Sequence, residues 1–244
     1  MKAAPARARI ARTKARVPPR RRLRLFRTII VCFLSLIAGF YGACILTIAA
    51  LRWINPPITS VQLQRQFEAF MQHRPYHRRY AFAPLKRISP ELQHAVIAAE
   101  DARFYQHKGF DWVQVQKVID KDLDKGSLGR GASTIDQQLV KNLFLTTSRS
   151  LVRKAVETTL VPLMEIMLPK NRILELYLNV IEWGPGVYGA EAASEYWYHV
   201  PAARVTRDEA TRLAAIIPAP NRRRPQQMND YSANIEVRMR QMNW

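Results

Sequence analysis

The sequence predicts a mainly α-helical domain behind one N-terminal transmembrane helix. Residues 28–51 contain no charged side chain in 24 positions, and at about 1.5 Å rise per residue they span a bilayer core of about 30 Å. Beyond residue 52, apolar residues recur at helical spacing between helix start and stop signals, without runs of alternating strand pattern. These observations favour an α fold with a single membrane anchor.

The N-terminal tail, residues 1–27, holds much of the positive charge. Eleven of the 38 Lys and Arg residues lie there without an acid, so the rest of the chain has 27 basic and 19 acidic residues. Positive charge beside a span stays in the cytoplasm, so we expect a cytoplasmic tail that contacts inner-membrane lipids, and no nucleic-acid partner. A cleaved signal peptide is the alternative, but its apolar region would be shorter.

Both cysteines, Cys32 and Cys44, lie inside the apolar segment. The outer part of the chain therefore has neither a disulfide nor a thiol nucleophile. This composition fits a bacterial periplasm. We therefore expect a single-pass inner-membrane protein whose folded domain is periplasmic.

The membrane-proximal segment, residues 52–88, predicts an amphipathic helix over "VQLQRQFEAFMQHRPYHRRYAF". Within it, His73 and His77 have the i, i+4 spacing of a metal pair. No Cys or carboxylate stands close by, and three arginines crowd the two histidines. An ordinary basic surface is the better interpretation.

The next helix begins at Ser89 and Pro90, an N-cap followed by proline in the first turn. We expect this helix to end before Gly109. Its apolar stripe consists of Leu92, Val96 and Ala99. Glu100 lies at the edge of this stripe, where an acid usually either forms an ion pair or serves in a functional site. The ordinary alternative is a surface acid bonded to Arg103 or His107.

Residues 110–132 are charged, end in glycines and predict a mobile segment, whose "FDWVQVQKVID" stretch is expected to lie against the membrane. Ser133 then opens a helix with Asp136 three residues on, a capping-box spacing. Ile135, Leu139 and Leu143 form the buried stripe of that helix, and Gln138 and Lys141 share another face. Glycines before a helix N-terminus, with a lysine one turn in, indicate an anion site because free N–H groups and the helix dipole favour phosphate.

Three further cations follow within a few residues: Arg149, Arg153 and Lys154. Glu157 lies four residues after Arg153 and three after Lys154, which in the simplest interpretation is a helix-face salt bridge. Pro162 predicts a bend in this helix. Further helices follow, and residues 226–244 form a final helix or tail.

Two motifs argue against other functions. Gly184, Gly186 and Gly189 match GxGxxG, but the preceding "RILELYLN" predicts a helix where a dinucleotide site needs a strand. No Ser has Lys three residues later and no KTG occurs, so we expect no penicillin-sensitive transpeptidase.

Four segments in order resemble the motifs of the peptidoglycan glycosyltransferases: "EDARFYQHKG", "GASTIDQQLVKNLFL", "RKAVE" and "RILELYLNVIEWGPGVYGAEAASEYWY". The likeness is greatest to the membrane-anchored, monofunctional members. It implies a lysozyme-like glycosyltransferase domain over residues 89–225 with a small mobile membrane-proximal lobe. Such an enzyme polymerises lipid II into linear β-1,4 glycan strands, with inversion and release of undecaprenyl diphosphate, and does not cross-link them.

The same resemblance implies roles for the matching residues. Glu100 resembles the general base that deprotonates the acceptor 4-hydroxyl, and Glu157 the second acid beside the donor diphosphate. The matching phosphate and sugar positions are Ser133, Thr134, Gln138, Lys141, Asn142, Arg149, Arg153 and Lys154. One base suffices for inversion, and a diphosphate leaving group needs positive charge more than an acid. We expect Phe104 and His107 to hold the corner around the base.

No cofactor is required by this chemistry, although Mg²⁺ or Mn²⁺ beside Glu157 is left open. Asp136 departs from the family's usual Thr or Ser, so its charge is expected to weaken donor binding unless it acts as a helix cap. Expected partners are lipid II, the growing glycan strand, and proteins of cell division or cell-wall synthesis. The alternatives are a membrane-tethered scaffold that binds lipid II with weak or no catalysis, and a lysozyme-like lytic enzyme.

Overall fold

The computed structural model describes residues 19–125, 133–148 and 150–244, and helices dominate them, which confirms the predicted fold class. The α-helices are α1 Pro19–Ala50, α2 Ser60–Met71, α3 Pro90–Glu100, α4 Trp112–Lys125, α5 Ile135–Phe144, α6 Leu151–Met167, α7 Lys170–Val180, α8 Ala190–Tyr198, α9 Arg207–Ile216 and α10 Asn229–Gln241. Single 3-10 turns lie at Leu85–Arg87, Phe104–Gln106, Ala202–Arg204 and Pro225–Gln227. The strands are β1 Arg79–Tyr80, β2 Glu182–Gly184 and β3 Val187–Tyr188.

Helix α1 has the length and composition of a membrane span. Within the described ranges, Leu23–Ala50 is long and apolar enough to cross a membrane. Large apolar side chains between Leu23 and Leu46 are exposed along it, an arrangement that is costly in water. The chain divides into two compact units, residues 1–43 and 44–244, and the second holds the folded domain.

Two groups of helices form the core of this domain. Helix α3 packs against α9 and α10, while α5 packs against α2, α6 and α7. The predicted stripe of α5 faces inward, because Ile135 and Leu139 are fully buried and Leu143 nearly so. The end of α3 and the start of α5 meet in space, where Ile135 N–H donates a hydrogen bond to Asp101.

A small sheet with strand order β1-β3-β2 closes one side of the domain. Strand β1 pairs parallel to β3, and β2 pairs antiparallel to β3. The "GPGVYG" glycines thus belong to a short antiparallel hairpin that follows helix α7, which agrees with rejecting a dinucleotide site. Gly186 has φ +72, and a Cβ there would lie 2.6 Å from the His77 carbonyl oxygen, so the turn requires glycine.

The segment that follows α1 is fastened to the domain at two places. Arg172 of α7 donates hydrogen bonds to the Leu51 carbonyl at 2.8 Å, the Ile54 carbonyl at 3.0 Å and Asn55 Oδ1 at 2.8 Å. Further along, β1 joins the sheet through its pairing with β3. The chain is therefore held close to the domain from Leu51 onward.

Several predicted boundaries are wrong. Helix α2 ends at Met71, so His73 and His77 lie outside it and do not share a helix face. Helix α3 ends at Glu100 because Asp101 has extended backbone, φ −159 and ψ 72, and the chain does not continue as helix to Gly109.

The stretch predicted as mobile contains a helix in its described part. Helix α4 starts after Asp111, whose Oδ1 accepts the Gln114 N–H at 2.9 Å in an N-cap geometry that sequence analysis overlooked. Residues 126–132 lie outside the described residues. Helix α6 continues through Pro162 to Met167.

Candidate active site

Asp101 holds the corner between α3 and α5. Its carboxylate accepts the Ile135 N–H at 3.0 Å, and both of its oxygens lie 3.0 Å from His107 Nε2. Phe104 is fully buried beside this pair, with its ring centroid 6.4 Å from that of His107. Phe104 and His107 thus lie together at the corner as expected, and Asp101 is the residue that ties the corner to α5.

Glu100, the last residue of α3, lines a cavity of about 640 Å³. Gln138 Nε2 donates a hydrogen bond of 2.7 Å to Glu100 Oε2. Burial raises the pKa of Glu100, while the hydrogen bond from Gln138 and the charges of Lys141 and Arg223 act in the opposite direction. The arrangement suits a base that must be ionised near neutral pH.

The ordinary interpretation of Glu100, a surface acid paired with Arg103 or His107, is not what the structure contains. Arg103 instead lies 3.4 Å from Asp111, and His107 bonds Asp101. The Glu100 carboxylate is therefore available at the cavity, with an amide as its described hydrogen-bond partner.

The cavity walls come from α3, α4, the start of α5 and the C-terminal region. Four residues implied by the family resemblance line it together: Glu100, Ser133, Thr134 and Gln138. Gln114 of α4 and Tyr231 and Arg238 of α10 also line the cavity, and the sequence analysis predicts none of these three. The segment predicted as a final helix or tail thus contributes to the site.

The N-terminus of α5 is capped one residue later than predicted. Thr134 and Gln137 form the capping box, with the Thr134 hydroxyl accepting the Gln137 N–H at 3.2 Å. The same hydroxyl donates to the Gly109 carbonyl at 2.6 Å. The predicted Ser133–Asp136 capping box is wrong, and Ser133 is an exposed residue at the cavity.

Asp136 is fully buried and does not line the cavity. Its carboxylate lies 3.2 Å from Lys170 Nζ, and Lys170 also pairs with Glu165. Because burial and the nearby Glu165 carboxyl outweigh the Lys170 charge, the pKa of Asp136 rises from 3.8 to about 8. The expected capping role of Asp136 is wrong, since its carboxyl belongs to a buried ion cluster with Lys170 and Glu165. A weakening of donor binding by Asp136 stays a prediction.

Glu157 on α6 gathers two cations. Its Oε2 accepts from Arg153 at 2.6 Å and its Oε1 from Lys154 at 2.5 Å, while the Glu157 side chain is 3% exposed. Burial lowers the pKa of Lys141, and the negative charges of Glu157 and Glu100 raise it. Lys141 therefore lies within electrostatic reach of both predicted acids.

Asn142, another residue implied by the resemblance, does not line the cavity. Asn142 is buried, and its side-chain amide donates to the Gln138 carbonyl at 2.8 Å, so it braces α5. Arg149 lies outside the described residues.

Two groups of the described residues are candidate metal ligands. Asp101, His107 and Asp136 have ligand atoms within 4.8 Å of one another, but the Ile135 N–H and the Lys170 ammonium already bond the two carboxylates. Glu157 gives one carboxylate, whose oxygens already accept from two cations. These donor sets fit internal ion pairs better than a divalent cation, and a cation requirement stays a prediction.

Tyr177 of α7 is part of the site, although sequence reasoning missed it. Its hydroxyl donates to Gln138 Oε1 at 2.9 Å, and its ring is fully buried. The available signal was a tyrosine within the apolar run "ILELYLNV", because a buried phenol needs a hydrogen-bond partner.

Comparison with known proteins gives one consistent result. A family model described as "Transglycosylase" matches residues 66–243. A protein of Shewanella oneidensis named biosynthetic peptidoglycan transglycosylase is 45% identical over 213 residues, 85% of this chain and 90% of its own. A protein of Laribacter hongkongensis with the same name is 45% identical over 169 residues, 69% of this chain and 74% of its own.

The family match runs from α2 to α10. It therefore includes the cavity and the cationic cluster, which consists of Lys141, Arg153 and Lys154 beside Glu157. The resemblance inferred from four sequence motifs is confirmed. The chain belongs to the transglycosylase family.

Proposed function

We propose that this chain polymerises lipid II into linear β-1,4 glycan strands of peptidoglycan, with Glu100 as the general base. The observation that carries this proposal is the Glu100 carboxylate at the cavity, held by Gln138 at 2.7 Å. Names of the relatives, biosynthetic peptidoglycan transglycosylases, supply the substrate class.

In the proposed reaction, Glu100 removes the proton from the acceptor sugar's 4-hydroxyl as its oxygen attacks the donor's anomeric carbon. The bond from that carbon to the diphosphate oxygen breaks, and undecaprenyl diphosphate leaves from the opposite face. The configuration inverts, so one carboxylate base suffices. Glu100 afterwards returns its proton to solvent.

Positive charge stabilises the departing diphosphate. Lys141, Arg153 and Lys154 supply three cations against the single charge of Glu157, which holds two of them. Preorganised cations of this kind act where charge develops, in surroundings drier than bulk water. We assign the donor diphosphate to this cluster and the acceptor sugar to the cavity of Glu100, with Ser133 and Thr134 at its edge. Arg149 is proposed as a further cation on sequence alone.

The rival functions account for less of the site. A lytic enzyme needs a glutamate in a cleft but no cation cluster, since its leaving group is a sugar hydroxyl. A scaffold without catalysis leaves unexplained a carboxylate that faces the cavity from a buried, hydrogen-bonded position. Glycosyl transfer from a diphosphate uses both acids and the cations beside Glu157, and we therefore favour it over the two rivals.

We further propose a single-pass inner-membrane location with a cytoplasmic N-terminus and a periplasmic domain. The exposed apolar helix Leu23–Ala50 and the basic residues before it support this orientation. Trp53 and Trp112 are 77% and 70% exposed, as expected of side chains at a membrane surface. Binding to division or cell-wall synthesis proteins, and stimulation by Mg²⁺ or Mn²⁺, remain proposals drawn from the resemblance.

The test is polymerisation of lipid II by the purified full chain in detergent, comparing wild type with Glu100→Gln. We expect glycan polymer from the wild type and none from the variant, with both proteins folded by circular dichroism. A folded wild type that makes no polymer would favour the scaffold, and release of soluble fragments from finished strands would favour the lytic enzyme.

A further inference from the structure

Tyr177 is a buried side chain that reaches the proposed base through one intervening residue, Gln138. The Tyr177 hydroxyl donates to Gln138 Oε1 at 2.9 Å, and Gln138 Nε2 donates to Glu100 Oε2 at 2.7 Å. Three side chains from α7, α5 and α3 thus form one directed chain of hydrogen bonds. The chain ends at the carboxylate that must accept a proton.

The direction of this chain depends on which way the Gln138 amide is turned. A glutamine amide can rotate by half a turn and exchange its oxygen with its nitrogen. If Gln138 were turned over, its oxygen would face the Glu100 carboxylate, which only a protonated acid could tolerate. The turned-over amide would therefore favour the form of Glu100 that cannot act as a base.

Tyr177 opposes that rotation because its hydroxyl proton needs an acceptor. Among the residues that the structure describes, Gln138 is its hydrogen-bond partner. Burial and the nearby carboxylates of Glu100 and Asp101 raise the pKa of Tyr177 well above 10, so the hydroxyl remains a donor. Turning the amide would leave a fully buried hydroxyl without an acceptor, which is costly.

We propose that Tyr177 is a positioning residue that holds the Gln138 amide with its N–H toward Glu100 and thereby keeps that carboxylate a base. The proposal rests on the proposed function of Glu100 and adds a residue that acts through another. Tyr177 itself is fully buried and does not line the cavity.

The other groups that face Glu100 remain in place when the Tyr177 hydroxyl is removed. They are the cations Lys141 of α5 and Arg223, which follows α9, together with the neighbouring Asp101. The Tyr177→Phe variant therefore removes the hydrogen bond that orients the Gln138 amide without changing a charge. Any shift in titration can be assigned to the amide.

The experiment measures kcat/KM for lipid II polymerisation as a function of pH in the full chain carrying Tyr177→Phe. The pKa of Glu100 should rise once the amide is free, so the acidic limb should move up by about one pH unit, a tenfold loss at low pH. Activity should recover toward the wild-type plateau at high pH. A purely structural loss would lower the whole profile without moving the limb.

Tyr188→Phe is the matched control. Tyr188 is also fully buried, and its hydroxyl oxygen lies 3.1 Å from that of Tyr76, away from Glu100. We expect its acidic limb to coincide with that of the wild type. An equal shift in both variants would overturn the proposal.

A double-variant comparison tests whether Tyr177 acts through Gln138. Gln138→Ala alone should move the acidic limb in the same direction, and adding Tyr177→Phe should move it no further. An unmoved limb in either single variant, or a full second shift in the double variant, would overturn the proposal. If Tyr177→Phe does not fold, the pH profile of Gln138→Ala is the remaining test, and an unmoved acidic limb in that variant overturns the proposal.

The same assay separates this proposal from the function on which it rests. Loss of activity in Glu100→Gln together with an unmoved limb in Tyr177→Phe refutes only the positioning role. Full activity in Glu100→Gln refutes the assignment of the base, and the positioning role with it.

Discussion

The Lys170 ammonium group lies 3.2 Å from the fully buried Asp136 carboxylate, on the core side of α5. It also pairs with Glu165 and lies 4.4 Å from the centroid of the Phe104 ring. One cation therefore joins α5, α6 and α7 to the corner that carries Glu100. Glu165 extends the cluster, since its Oε1 accepts the Gly109 N–H at 2.8 Å.

Removing the cation should destabilise the domain. We expect Lys170→Met to lower the free energy of unfolding by about 3 kcal/mol, because it leaves the buried Asp136 carboxyl and the half-buried Glu165 carboxyl without their shared cation. Thermal unfolding of the full chain in detergent, followed by circular dichroism, measures the change. Lys108→Met, at an exposed lysine, is the control and should unfold like the wild type. Equal destabilisation by both variants would contradict this account.

The same cluster should make stability depend on pH. The pKa of Asp136 is about 3.8 in the unfolded chain and about 8 in the folded one, because burial and the nearby Glu165 carboxyl outweigh the Lys170 charge. The folded state therefore holds an extra proton between these values, and stability should fall as pH rises through this range. The unfolding temperature of Asp136→Asn should decline less than that of the wild type as the pH rises through this range. Parallel curves for the two proteins would show that Asp136 is not the titrating group.

Lys141 should matter more for catalysis than its neighbour Lys154. We expect Lys141→Met to reduce kcat/KM for lipid II by about a hundredfold, as removal of one preorganised charge does in other sites. Lys154 is 42% exposed, and Arg153 still holds Glu157 without it, so Lys154→Met should cost less than about tenfold. Initial rates over a range of lipid II concentrations distinguish the two. A larger loss in Lys154→Met than in Lys141→Met would place the diphosphate beside Lys154 instead of Lys141.

Helix α2 carries an apolar stripe that should matter only at a membrane. Leu63, Phe67, Phe70 and Met71 share one face and are between 52% and 75% exposed. We expect Phe67→Ser combined with Phe70→Ser to slow polymerisation several-fold in liposomes but not in detergent micelles, since burial in the interface is lost. Gln66→Ser, at an exposed polar residue of the same helix, is the control. A loss of the same size in micelles would point to a folding defect.

Local spacing was enough to predict part of this site. The Arg153–Glu157 and Lys154–Glu157 pairs follow from i, i+4 and i, i+3 spacing on one helix. The inward stripe of α5 follows from its periodicity in the same way. These features depend on residues within about one turn of each other.

Contacts between distant segments were beyond the sequence alone. Tyr177 meets Gln138 across 39 positions, and Lys170 meets Asp136 across 34. Periodicity shows which face of a helix is buried but does not show which neighbour that face meets. Spacing therefore predicts a capping box of Ser133 and Asp136, whereas Thr134 and Gln137 form it.

The bonds from Arg172 to Leu51, Ile54 and Asn55 hold the stretch that follows α1 against α7. This stretch therefore does not act as a flexible linker. With the β1–β3 pairing as a second attachment, the folded domain that carries Glu100 begins directly after α1.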